Sequence, residues 1–158
     1  MNNKTAFIFL ICLFCRGAFA CSCHRDSNNF VLDVKSSFNN SIAVVKAIAR
    51  SVETTQVSFD FVKGVPSQVK GEITTFEVIK SWKGINTKTF RTKIATECCV
   101  CGLRFEVSKE YLMYLSFPPS FSDSEPVSHD FYWTSICSRT RSTKKTGDEE
   151  DILDTLSK

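Results

Sequence analysis

Cys21-Ser22-Cys23 stands directly behind Ala18-Phe19-Ala20, and that placement decides how the other cysteines are read. Residues 1–20 have the three parts of an export signal: Lys4 at the start, an apolar run from Ala6 to Cys15, and the small-residue pattern Ala18-x-Ala20. The apolar run is far shorter than the roughly 20 residues a membrane-spanning helix needs, and Arg16 behind it also argues against an anchor. A buried N-terminal helix is the alternative. Cleavage after Ala20 makes Cys21 the first residue of the mature chain, with a free α-amine beside its own carbonyl. Such a pair, held rigidly, can chelate a metal ion through a small ring. A cysteine behind a bacterial signal can instead be lipidated, but Phe19 and Ala18 are poor residues for that processing.

The same cut simplifies the rest. What remains is about 140 residues, the size of one domain. Lys4 and Arg16 leave with the signal, so the net charge of +3 falls close to zero. A near-neutral surface gives no reason to expect nucleic acid. Cys12 and Cys15 are lost, leaving Cys21, Cys23, Cys98, Cys99, Cys101 and Cys137. An even number in an exported chain reads as a disulfide framework whose connectivity spacing alone does not resolve. The competing reading is a metal cluster of Cys21-x-Cys23 with Cys98-Cys99-x-Cys101, although neither half has the spacer usual in structural zinc sites.

Along the mature chain, His24 to Asn29 is turn-like, and Phe30 to Phe38 has mixed apolar spacing that suits a short helix or a turn. Asn39-Asn40-Ser41 is a glycosylation sequon, meaningful in a eukaryotic source. Ile42 to Val52 is rich in β-branched residues and predicts a central strand, with helix as the alternative. The alternation Val57-x-Phe59-x-Phe61 predicts a second strand. Gly64 to Ser67 breaks it, and Gly71 opens the next strand, Ile73 to Trp82, making a long hairpin that Lys83-Gly84 ends. Thr89 to Ile94 alternates as a further strand. Phe105-x-Val107 and Tyr111 to Leu115 predict a second hairpin around Ser108-Lys109-Glu110, Pro118 to Pro126 a loop, and Phe131 to Ile136 a last strand leading to Cys137. Asp148 to Leu156 predicts a terminal helix with Ile152, Leu153 and Leu156 on its packed face, a capping box between Thr146 and Glu149, and otherwise solvated charges. Five or six short strands with little helix predict a mainly β, closed or partly open barrel.

Catalytic patterns are missing. His24 and His129 belong to no metal-ligand motif, and neither Gly-x-Ser-x-Gly nor a glycine-rich phosphate loop occurs. A thiol nucleophile needs a free, low-pKa cysteine, which an oxidised set does not offer. The chain is therefore expected not to be an enzyme.

Six pieces of the sequence carry a resemblance. Cys21-Ser22-Cys23 behind the signal, the strand from Ile42 to Ala49, the run from Phe76 through Trp82 to Gly84, Val100-Cys101-Gly102, Lys109-Glu110-Tyr111-Leu112 and Ser135-Ile136-Cys137 follow one another in an order. That order is similar to the inhibitory N-terminal domain of the tissue inhibitors of metalloproteinases, and the similarity covers nearly all of residues 21–158. The wider netrin-like modules share the fold but usually lack a cysteine as first mature residue. The resemblance implies an OB-fold-like, five-stranded β-barrel with a C-terminal helix, stapled by Cys21–Cys101 and Cys23–Cys137 disulfides. In the chain-entropy picture each bond closes a loop of roughly a hundred residues and removes about 4–5 kcal/mol of unfolded-state freedom.

It also implies a function. Cys21, Ser22 and Cys23, with Cys98, Cys99, Val100 and Cys101, would form one ridge that enters the cleft of a zinc metalloproteinase. The α-amine and carbonyl of Cys21 would chelate the partner's zinc, Ser22 would point into the specificity pocket, and Val100 would lie in the other half of the cleft. The expected protein is a secreted monomer, periplasmic or envelope-bound if bacterial, with no cofactor of its own and no membrane contact unless Cys21 is lipidated. The other readings are a non-inhibitory netrin-like binding module and a lipid-anchored envelope protein. Relatives in this family usually carry a third bridge and a second, cysteine-rich domain, neither of which is visible here, whereas Cys98 and Cys99 are additional.

Overall fold

The computed structural model describes residues 23, 29–62, 65–96, 102–117 and 130–158, and the chain opens there with an Asn cap. Asn29 Oδ1 accepts from the backbone N–H groups of Val31 and Leu32 at 3.0 and 3.2 Å, satisfying donors that the first helical turn leaves unpaired. Helix α1, Phe30–Asn40, follows. It buries Val34 and Phe38, one turn apart, while Phe30, Val31 and Leu32 remain exposed. That exposed apolar turn is why the spacing of this segment looked mixed.

Strand β1 runs unbroken over Ala43–Val62 and strand β2 over Val65–Lys83. The expected gap between Val52 and Val57 does not interrupt β1, and the expected break at Gly64 to Ser67 is shorter in the structure, with β2 beginning at Val65, well ahead of Gly71. Thr54, Thr55 and Gln56 sit in register with Glu72, Gly71 and Lys70, and Pro66 lies beside the hairpin end, where a missing donor costs little. Gly84 ends β2 with φ +80°, and a Cβ there would come within 2.1 Å of the Ile42 carbonyl oxygen. Strands β3 (Thr89–Ala95) and β4 (Glu110–Leu115) flank the hairpin, and the short β5 (Arg141–Ser142) pairs with β4. The result is one antiparallel five-stranded sheet in the order β3-β2-β1-β4-β5.

The chain is thus mainly β, with a C-terminal helix. Register shifts at Val44/Val45, Lys46/Ala47 and Ala49/Ser51 bend the hairpin. Among the described residues no ladder joins β3 to β5. The expected strand from Phe131 to Ile136 is instead a series of single bridges, Tyr132 to Thr92, Trp133 to Ser116 and Ser135 to Gly102. This segment crosses from β3 to the end of β4 and stays beside neither long enough to form a ladder. The first arm of the second hairpin also forms no strand. Phe105 is buried, the chain turns through Ser108 at φ 66°, and Ser108 and Lys109 pair with Ala49 of β1.

Both sheet faces are covered. On one face Phe76 stacks on Phe90 at 5.1 Å and meets Phe105 and Tyr111 edge-on, with Val45 and Met113 in the same cluster. On the other, α1 and the terminal helix α2 (Gly147–Leu156) lie over Val44, Trp82, Leu112 and Tyr114. Leu153 of α2 is fully buried and Ile152 and Leu156 pack beside it, as the helix periodicity predicts. Trp82 Nε1 donates to Asp154 Oδ1 at 2.5 Å, and Lys80 pairs with the same carboxyl, which those two hydrogen bonds hold below the usual carboxylate range. No helix among the described residues is long and apolar enough to cross a membrane.

Candidate functional site

Of the residues expected to form the ridge, Cys23 is described, and Cys21, Ser22, Cys98, Cys99, Val100 and Cys101 lie outside the described residues. Cys23 is exposed and forms a disulfide with Cys137, with Cα atoms 5.1 Å apart across 114 residues of sequence. This is one of the two bonds the resemblance implies. The other, Cys21–Cys101, falls outside the described residues. The bond to Cys137 takes Cys23 out of the alternative metal cluster, whose remaining cysteines lie outside the described residues.

The flanks of the cysteine-rich stretch are well defined. Thr96, before it, donates its backbone N–H to Lys70 O at 2.9 Å and accepts from Arg104 through its carbonyl oxygen at 3.5 Å. Gly102, after it, lies so close to β3 that a Cβ would stand 2.0 Å from the Ala95 carbonyl oxygen. Only glycine permits that approach. Gly102 also bridges Ser135, two residues before Cys137. One short segment, residues 135–137, therefore holds both the Cys23 bond and the residue that follows Cys101.

Hydroxyl groups fix that segment. Ser138 Oγ donates to Ser135 O at 2.8 Å, and Cys137 N–H donates to Ser135 Oγ at 3.2 Å. Thr134 Oγ1 lies 2.6 Å from both Ser138 Oγ and Thr140 Oγ1, and Tyr114 N–H donates to Thr140 Oγ1 at 2.9 Å. Buried hydroxyls satisfied in this way specify one backbone conformation, because each lost bond would leave a desolvated polar atom.

Beside this turn lies a group of charged residues that the sequence did not reveal. Glu149, expected to cap α2, is fully buried. Thr146 makes no side-chain cap bond; its hydroxyl instead donates to Glu150 Oε1 at 2.9 Å. Glu149 accepts from Tyr114 Oη at 2.6 Å, from Arg139 Nε at 3.1 Å, and from Arg141. Arg139 also faces Asp33 of α1 at 3.8 Å and lies over the Phe30 ring. Burial pushes the Tyr114 phenol up to about 12 despite the adjacent Arg139 charge, and burial and Arg139 together lower Arg141. The charges of α2 are thus only partly a solvated face. The sequence feature that could have found this cluster is the basic stretch Arg139 to Lys145 running directly into an acidic helix.

No protein-family model matches the chain, and no curated protein matches it.

Proposed function

We propose that this protein is a secreted inhibitor of zinc metalloproteinases, acting through the mature N-terminus at Cys21. The observation that carries the proposal is the junction at residues 135–137, where Cys137 bonds Cys23 and Ser135 bridges Gly102. Both arms of the inferred ridge, Cys21 to Cys23 and Cys98 to Cys101, are continuous in sequence with residues fastened at that junction.

The chemistry follows from the partner's metal. A catalytic zinc in such enzymes has three protein ligands and an open position that holds water. The neutral α-amine and the carbonyl of Cys21 would displace that water, and without it the protease lacks its nucleophile. A terminal amine titrates at about 7.7–8.0, so a useful fraction is neutral at physiological pH. Ser22 would enter the pocket beneath the metal and Val100 the opposite half of the cleft. A ridge fastened before encounter loses little ordering entropy on binding.

The test is titration of a small panel of zinc metalloproteinases with protein whose N-terminus is shown by mass spectrometry to be Cys21 with a free amine. Stoichiometric inhibition of at least one member supports the proposal. No inhibition across the panel counts against it, and an acylated Cys21 points to membrane anchoring instead.

A further inference from the structure

We infer that Arg139 is a positioning residue that locks the Cys137 turn against both helices and thereby holds the disulfide-tethered Cys23 in one place. The role in presenting the N-terminus rests on the inhibitory function proposed above; the lock itself does not.

Arg139 lies two residues beyond Cys137 and takes the left-handed conformation, φ 64°, which a residue with a Cβ adopts only when its surroundings enforce it. The enforcing contacts are visible. Its Nε donates to Glu149 of α2 at 3.1 Å, while its other face meets Asp33 of α1 at 3.8 Å, and its guanidinium lies 5.3 Å from the Phe30 ring centroid. The Arg139 and Asp33 side chains are only 17 % and 13 % exposed, and Glu149 is wholly buried, so solvent screens these charges poorly. One planar cation thus joins three elements: the turn that carries Cys137, helix α1, and the terminal helix.

Lysine cannot reproduce this. Its single ammonium point lacks the fork that reaches two carboxylates on different elements while lying over a ring. The terminal helix, remote in sequence from Cys23, becomes part of what fixes it. Loosening the lock frees the turn without removing the disulfide, and binding then carries an added ordering cost that shows in the dissociation rate.

The experiment compares wild-type, Arg139→Lys and Arg139→Gln proteins, all beginning at Cys21. It measures the rate at which a small thiol reduces Cys23–Cys137, hydrogen exchange at residues 134–140, and metalloproteinase inhibition. The expected result is reduction and exchange roughly tenfold faster in both variants, with inhibitor dissociation faster by a similar factor. Arg139→Lys keeps a buried positive charge, so it serves if Arg139→Gln fails to fold. Reduction and exchange within twofold of wild type overturn the lock, whatever the inhibition. Faster reduction with unchanged inhibitor dissociation overturns the link to the N-terminus. Faster reduction in a protein whose wild type inhibits nothing supports the lock and removes the proposed function.

Discussion

Tyr114 of β4 donates its hydroxyl to Glu149 Oε1 at 2.6 Å, joining the sheet to the terminal helix in an interior where Glu149 has no exposed surface. The carboxylate there is balanced by Arg139 and Arg141. Glu149→Gln keeps the shape and removes the anion that Arg139 and Arg141 share, leaving Arg139 with the more distant Asp33. Breaking a buried pair in this way costs about 3–5 kcal/mol. Urea denaturation should show a loss of that order; a loss below about 1 kcal/mol would mean that the charge does not hold the helix.

The same phenol sets an alkaline limit. Tyr114 is raised from 10.0 to about 12, chiefly by burial, so the unfolded chain releases its proton first as pH rises. Its contribution is fully present below pH 10 and is lost as pH climbs towards 12, by about 2–3 kcal/mol. Stability measured across pH 9 to 12 should fall more steeply in wild type than in Tyr114→Phe. Equal slopes would contradict the assignment.

Removing the Cys23–Cys137 bond with the double substitution Cys23→Ser, Cys137→Ser opens a loop of 114 residues. Chain-entropy reasoning puts the loss at about 4–5 kcal/mol. Thermal unfolding should shift down by many degrees. A shift of only a degree or two would show that the unfolded chain gains little freedom when the bond is absent.

Gly102→Ala places a Cβ 2.0 Å from the Ala95 carbonyl oxygen, which belongs to backbone and cannot swing away. Either β3 or the Gly102–Ser135 bridge must give, at about 1–3 kcal/mol. Hydrogen exchange should quicken at Ser135 and Thr96 together. Unchanged exchange at both would refute the close approach.

The sheet was legible because its pattern is local. Ile73 to Trp82 and Thr89 to Ile94 lie in β2 and β3 as their pattern predicts, and the apolar run Tyr111 to Leu115 lies in β4 with both faces covered. The lengths of β1 and β2 were not legible, since Thr54 to Gln56 and Gly71 resemble a break until the opposite strand pairs them. The last segment misled for a related reason: Phe131 to Ile136 is aromatic and apolar enough to read as a strand, but Tyr132, Trp133 and Ser135 bridge three different neighbours. Burial of Glu149 depends on Tyr114, 35 residues away, and on two arginines that precede the helix by several residues, so the local capping pattern pointed elsewhere. On the candidate site, the Cys23–Cys137 bond was implied by the family resemblance, while the number and spacing of the cysteines left their connectivity open. The sequence could not show that Ser135 and Gly102 meet at the same turn, because that contact is made by backbone alone.

The most direct test compares inhibition of one zinc metalloproteinase by protein beginning at Cys21 and by protein carrying a single alanine before Cys21. The extension converts the α-amine into an amide, which cannot chelate the metal, and leaves the fold untouched. Potent inhibition by the first and none by the second is the predicted result. Equal potency of the two would contradict the account.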